Sequence, residues 1–217
     1  MVFVDFSNPY LRGLLGTYAA EHREQLDWIR AALPEWIDES SRHESARPPA
    51  DRRPLAIVLD IDEVVLCNIS EHTYDVGDIH FRARDYFDEL GEGLCPALPG
   101  AWELIADVRS LGLTLFFVTG RREAIRAETV ANFAAAKFGE ATIIMRPDDD
   151  MAGANMAGAD MAGAGTAGAS VRPWKEARRA EIDREYRIVA NVGDQASDLG
   201  DYGDRQIAVA NPFYWTP

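Results

Sequence analysis

The chain of 217 residues is long enough for one good-sized α/β domain with additions, and a hydrophobic share of 47% is ample for a core. Its 36 acidic residues against 22 Lys and Arg give a net charge of -14, which argues against nucleic acid or an anionic membrane as the main partner. No apolar run is long enough to span a bilayer, and Cys67 and Cys95, neither part of a CxxC pair, suit neither a disulfide scaffold nor a zinc site.

The first residues, MVFVDFSNPYLRGLL, lack a basic leader and carry Asp5, Asn8 and Pro9 within their apolar patch. They do not read as a signal peptide, so a cytoplasmic location is expected. Asn8 and Pro9 form a cap and first-turn pair that starts a helix. Leu11, Leu15, Tyr18, His22, Leu26, Ile29 and Leu33 recur at steps of three or four, giving one stripe that must dock on the main domain. His22 falls on that stripe, where a packed and hydrogen-bonded histidine is expected rather than a catalytic one, because nothing around it resembles a site. Pro34 is expected to disturb the pattern, Trp36 and Ile37 to add a short turn, and Glu39 to Pro54 to form a polar connector, which makes residues 1–54 an N-terminal helical extension.

Leu55 to Leu59 (LAIVL) has the composition of a strand buried on both faces, as at the centre of a parallel sheet. Asp60 and Asp62 follow at its carboxyl end. Residues two apart in an extended chain point the same way, so both carboxylates can face one pocket at the sheet edge where open α/β folds bind ligands. Ile69 to Pro99 is too long for a plain loop and is expected to form a small cap. Within it His80, Arg82, Arg84, Tyr86 and Phe87 suit contact with an anionic ester and its organic part, or a short surface helix with solvated charges. A helix with Trp102, Ile105 and Leu111 inward then leads to a second buried strand, Thr114 to Val118.

That strand ends in Thr119-Gly120-Arg121, and a helix with Ile125, Val130 and Phe133 on its inner face is expected to follow. Thr119 and the free amides there can hold phosphate oxygens, or Thr119 can simply cap the helix. Ala141 to Met145 reads as a third strand. Asp148 to Asp150 reads as an exposed acidic loop, and Met151 to Ser170 is four Gly/Ala-rich pentads with almost nothing to bury. Pro173 restarts a helix whose first turn holds Lys175, a cation misplaced for the helix dipole unless it points at bound phosphate. Arg187 to Val192 is a fourth strand, followed by Gly193, which lets the backbone turn, and by Asp194 and Asp198, four apart and able to face one side of a helical turn. Gln206 to Ala210 is a fifth strand, and the aromatic end, NPFYWTP, is expected to fold back over the sheet.

The ordered set DIDEVV, FFVTGR, WKEARR and NVGDQASD resembles the four motifs of the haloacid dehalogenase (HAD) superfamily. GDQASD and the terminal NPFYW narrow the resemblance to its acid phosphatases, the branch with plant vegetative storage proteins and bacterial class B enzymes. The resemblance covers Leu55 to Pro217 and implies an α/β, HAD-like Rossmannoid three-layer sandwich. Its mainly parallel five-stranded sheet would carry a small cap insertion at about 69–99, the Gly/Ala insertion at 151–170 and the N-terminal helical segment. It implies Asp60 as a nucleophile forming an aspartyl-phosphate, and Asp62 as the acid that protonates the leaving oxygen and then activates water. Mg²⁺ would be held by Asp60, the Asp62 carbonyl and Asp194, with Asp198 completing the acidic shell directly or through water, and phosphate by Thr119, Gly120 and Lys175. The function so implied is a Mg²⁺-dependent phosphomonoester hydrolase acting on a small phosphorylated substrate, with no nucleic acid or membrane partner; the oligomeric state is not set by these motifs. The alternative is a phosphate-binding or storage-type protein with little catalysis. A receiver-like phosphoacceptor shares the strand-end aspartate and distant lysine but not the Asp60/Asp62 spacing. Val64, Cys67, the pentads and the absence of a secretion signal depart from the branch's pattern.

Overall fold

The structure is a computed structural model that describes residues 9–67, 73–76, 79–82, 95–148 and 171–211, with side chains from residue 16 onward and backbone alone in 73–82. The pentads, the triple aspartate beyond Asp148, the aromatic residues after Asn211, and Arg84, Tyr86 and Phe87 of the expected cap lie outside the described residues.

Helix α1 runs from Pro9 to Ser45, straight through Pro34. The expected break does not occur because the buried stripe continues past the proline: Leu33, Trp36, Ser40 and Glu44 share the face begun by Leu26 and Ile29. Side chains pin this second half in place. Ser40 Oγ donates to Asp204 Oδ2 at 2.5 Å, Arg205 stacks 5.2 Å from the Trp36 ring, and Glu44 pairs with Arg53 at 3.1 Å. A proline costs a helix about 3 kcal/mol, and docking on this scale outweighs it. Much of the expected polar connector is therefore helix, and only residues 46–54 remain between α1 and the sheet.

Strand β1 (Leu55–Leu59) lies at the centre of a five-stranded sheet. It is flanked by β4 (Thr114–Arg122) and then β5 (Thr142–Arg146) on one side, and by β6 (Arg187–Gly193) and then β7 (Gln206–Ala208) on the other. Every pairing is parallel. A separate antiparallel hairpin, β2 (Thr73–Val76) with β3 (Ile79–Arg82), occupies part of the expected cap, where strand rather than surface helix carries His80 and Arg82.

Alternation along β1 divides the interior into two layers. Ile57 and Leu59 join Leu26, Ile29 and Leu33 of α1, Leu104, Ile105 and Val108 of α2 (Ala101–Ser110), and Phe133 of α3 (Arg126–Ala135). Ala56 and Val58 face the opposite way, with Phe116, Val118 and Ile182 of α4 (Arg172–Glu185). These are the three layers of the implied sandwich.

Some inner faces differ from expectation. Trp102 is 55% exposed and Leu111 40% exposed, because α2 buries the 101, 104, 105 and 108 set. Ile125 and Val130 are also exposed while Phe133 is buried, because β4 runs on to Arg122, a 3-10 turn covers Glu123–Ile125, and α3 starts only at Arg126. The Thr119-Gly120 amides are thus extended strand, not a helix N-terminus, and the helix-dipole argument for phosphate does not apply to them.

Candidate active site

Strand connections run outward in opposite directions from β1 and β6, so the topological switch point lies between these neighbours. Ligand crevices of open α/β sheets form there, outside the carboxyl ends of the strands. Asp60 is the residue after β1, and its N–H donates to the Val192 carbonyl of β6 at 2.9 Å, which extends the ladder by one rung and fixes the backbone under the carboxylate. Asp194 is the residue after β6.

One carboxylate oxygen from each of Asp60, Asp194 and Asp198 lies within 4.8 Å of the others. Lys175, 3% exposed in the first turn of α4, enters from the opposite layer. Its Nζ stands 3.0 Å from Asp60 Oδ1 and pairs closely with Asp198 Oδ1. The lysine that misfits its helix end on dipole grounds is thus placed by buried carboxylates. Burial opposes its charge, but Asp60 and Asp198 outweigh that and hold the ammonium above the usual lysine range. Burial first, then the Asp198 carboxylate, pushes Asp60 well above the ordinary carboxylate value, with Lys175 pulling the other way. Burial likewise raises Asp194 to about 6, against the stabilising amides of Asn211 and Gln195.

The Asp194–Asp198 loop is tightly built. Gln195 N–H donates to Asp198 Oδ2 at 2.9 Å and the Gln195 side chain accepts the Asp198 N–H, a capping box over the turn Ala196–Asp198, while the same Asp198 N–H also reaches the Gln195 carbonyl at 3.0 Å. Buried Arg179 donates to the carbonyls of Ser197 at 2.9 Å and Asp198 at 3.1 Å, tying the loop to α4. Gly193 serves space rather than turning: an added Cβ would lie 2.0 Å from Asp198 Cβ. Asn211, first residue of NPFYW, donates from Nδ2 to Asp194 Oδ2 at 2.8 Å.

Asp62 is apart from this trio. Its carboxylate is gripped by Arg121, with Nη2 to Oδ1 at 2.6 Å and Nε to Oδ1 at 2.9 Å. Burial works against the Arg121 charge, and Asp62 more than compensates, so the guanidinium stays fully charged. Thr119 is buried, and its Oγ1 accepts the Arg121 N–H at 3.1 Å. The pairing of Leu59 with Phe117 sets Thr119 and exposed Gly120 at the same sheet edge as Asp60. The role of Arg121 was not read from the sequence, where it is only a cation after Thr-Gly, 59 residues from Asp62. Asn211 and Arg179 were missed for the same reason.

The turn after Asp62 is held from α1. Ile61 O accepts from the amides of Val65 and Leu66, both at 3.0 Å, and Glu63 N–H donates to the Leu66 carbonyl at 2.8 Å. Glu63, fully buried, has a φ of +55°, a left-handed conformation that costs a non-glycine residue about 1–2 kcal/mol. Buried His22 lies 3.1 Å from the Glu63 carbonyl through Nε2. A carbonyl only accepts, so the Nε2 atom carries the proton, and burial keeps the ring below its ordinary value and neutral at pH 7. The histidine is packed and hydrogen-bonded as its position suggests, but its partner is the backbone of the acidic loop.

The trio suits a hard cation. Its donors are carboxylate oxygens, and Asp194 Oδ1 is buried without a hydrogen-bond partner among the described residues. Asp148 instead accepts the Ala124 N–H at 2.9 Å. Cys67 and Cys95 are buried thiols that form no disulfide, and Arg121 Nη2 donates to Cys95 Sγ at 3.7 Å.

Comparison with known proteins agrees with this geometry. Acid phosphatase 1 of Solanum lycopersicum is 32% identical over 165 residues, which cover 73% of this chain and 58% of that protein. Stem 31 kDa glycoprotein of Glycine max is 30% identical over 165 residues, 73% of this chain and 58% of that protein. Vegetative storage protein 2 of Arabidopsis thaliana is 26% identical over 164 residues, 74% of this chain and 56% of that protein. The match thus spans less than two thirds of these plant relatives. The class C acid phosphatase of Bacillus anthracis superposes with a TM-score of 0.61 at 17% identity, over 92% of this chain and 80% of that one, a likeness of fold. The sequence profile of the HAD superfamily, subfamily IIIB (acid phosphatase), matches residues 10–217, and the chain belongs to that family.

Proposed function

We propose that the protein is a Mg²⁺-dependent phosphomonoester hydrolase that works through an aspartyl-phosphate on Asp60. The observation that carries this reading is the convergence of Asp60, Asp194 and Asp198 with the Lys175 ammonium at the switch point of a parallel sheet, two residues before a separately held Asp62. Family membership supports phosphomonoester chemistry for such a site.

Asp60 supplies the attacking oxygen: a bond forms from its carboxylate to phosphorus while the bond from phosphorus to the ester oxygen breaks. Asp62 takes up a proton from solvent as its pair with Arg121 opens, passes it to the leaving alkoxide, and then takes one from the water that attacks phosphorus, which releases inorganic phosphate and restores Asp60. Arg121 keeps the Asp62 carboxylate turned to its own side of the crevice. Lys175 compensates charge on the transferring phosphoryl oxygens, with Thr119 and Gly120 as further contacts. Asp60, Asp194, Asp198 and the Asp62 carbonyl are the residues to hold the cation, which when bound supplies the positive charge that lets an anionic nucleophile meet an anionic ester. The substrate is a small phosphomonoester, selected by the residues between 69 and 99.

The test is hydrolysis of an aryl phosphate by the purified protein with Mg²⁺, with a chelator, and by Asp60→Asn. Activity should require Mg²⁺ and fall by about four or more orders of magnitude in the variant. Full turnover by folded Asp60→Asn would refute the nucleophile. Mg²⁺-dependent phosphate binding without hydrolysis would transfer the site to the storage-type reading, which the plant relatives' names also allow.

A further inference from the structure

We infer that His22, on the N-terminal helix, is a positioning residue for the Asp60–Leu66 loop: its imidazole clamps Glu63 in its left-handed conformation and so fixes the peptide that leads out of Asp62. The inference rests on the phosphatase reading for its kinetic consequence but not for its structural one.

Four observations meet at this point. His22 is fully buried, between Tyr18, whose ring centroid lies 5.8 Å away edge-on, and Leu26, one turn further along α1. An apolar side chain would satisfy that packing without the cost of burying a polar ring. The ring is not spent within its own helix, because Nε2 reaches across 41 residues of sequence to the Glu63 carbonyl, and the Pro99 backbone is a further partner of the ring. Glu63 is one of only two non-glycine residues with positive φ among the described residues, and it directly follows Asp62. The helix cannot slide away either: an added Cβ on Gly100, at the start of α2, would meet Arg23 Cδ and Leu26 Cβ at 3.2 Å, so α1 is wedged against α2 next to the histidine.

The consequence follows from backbone geometry. The Asp62–Glu63 peptide carries the Asp62 carbonyl, and its plane is set at one end by Asp62 and at the other by the φ of Glu63. A donor fixed at the Glu63 carbonyl resists rotation of this residue toward the extended region, which would swing the Asp62 carbonyl and carboxylate out of place. A helix remote in sequence from the catalytic motifs thereby belongs to the site, and 46–54 is the tether that lets it return. Outer contacts of this kind commonly change metal affinity or activity by about 10–100-fold.

The test compares His22→Leu, which keeps bulk and loses the donor, His22→Asn, whose amide is too short to reach Glu63, and His22→Gln, whose Nε2 can take the place of the ring nitrogen. Backbone amide exchange of residues 63–66 in the Mg²⁺-free protein is read against the amides of β1 and β6. Leucine and asparagine should speed loop exchange about tenfold with the strands unchanged, and glutamine should restore it. With Mg²⁺ and an aryl phosphate, the same two variants should lose about tenfold or more in kcat with KM within threefold, and glutamine should recover most of it. Unchanged loop exchange in the folded leucine or asparagine variant overturns the proposal, as does faster exchange spread equally over loop and strands. If the wild-type protein proves inactive, the phosphatase reading fails while the exchange experiment still decides the clamp.

Discussion

Neutralising Asp194 is expected to stabilise the metal-free protein while removing its response to Mg²⁺. Burial holds this carboxyl at about 6 in the folded chain, against 3.8 for the free group. That difference corresponds to about 3 kcal/mol of cost to the folded state once the group is ionised. The sign follows from the raised folded value. Below about pH 4 both states carry the proton and nothing is lost, between 4 and 6 the unfolded chain ionises first and stability falls, and above 6 the full cost is present. Asp194→Asn removes the charge but keeps an oxygen for the Asn211 and Gln195 amides, and sets an NH₂ among carboxylates able to accept it. Urea unfolding with chelator at pH 7.5 should show the variant about 1–3 kcal/mol more stable than wild type, with the gap closing toward pH 4. Mg²⁺ at a hundred times its Kd should then stabilise wild type by about 2.7 kcal/mol and leave the variant unmoved, so the order narrows or inverts. A variant less stable than wild type in chelator at pH 7.5 would refute the burial argument. Equal stabilisation of both proteins by Mg²⁺ would refute Asp194 as a ligand.

Two further substitutions probe the same cluster. Lys175→Met leaves Asp60 and Asp198 buried without their shared cation and should cost about 3–5 kcal/mol at pH 7.5; thermal unfolding should show the deficit shrinking as pH falls and Asp60 takes up a proton. Gly193→Ala puts a Cβ 2.6 Å from Asp198 Oδ2 and should destabilise by about 3 kcal/mol with loss of Mg²⁺ binding by titration calorimetry, whereas wild-type stability and binding would mean that Asp198 does not pack over Gly193.

What could be read from the sequence follows from where the information is local. β1, β4 and β6 are apolar runs because both faces of a central parallel strand are covered, and Asp60 and Asp194 are conspicuous because acids interrupt those runs at their ends. Lys175 was legible as a contradiction, a cation at the wrong end of a helix, and the structure resolves it with two buried carboxylates. The extent of α1 was not legible, since Pro34 argues for a stop and only contacts with Asp204, Arg205 and Arg53 outweigh it. The faces of α2 and α3 were legible in part: Ile105 and Phe133 are buried as expected, while Leu111 and Ile125 lie at helix caps and a turn of about 100° per residue carries Trp102 and Val130 to the outer side. The pairing of Asp62 with Arg121 and the hold of His22 on Glu63 depend on which chain segments meet, and no spacing along the chain announces that.

The charge balance of the crevice links these particulars to the reaction. Among the described residues, Lys175 and Arg121 are the cations that pair with carboxylates of the set Asp60, Asp62, Asp194 and Asp198, so these six groups, fully ionised, hold two more negative charges than positive. A phosphomonoester entering such a site would meet repulsion added to that of a chain with net charge -14. Burial first, and the neighbouring carboxylates after it, raise Asp60 and Asp194, and the protons they then hold lower the excess. A protonated Asp60 would be a poor nucleophile, so this relief opposes the proposed chemistry. One divalent cation would remove both difficulties, because it would equal the excess in charge and favour the ionised form of the same two carboxyls. Proton and metal would then compete for one site, and apparent Mg²⁺ affinity should weaken as pH falls through about 6, where Asp194 binds its proton.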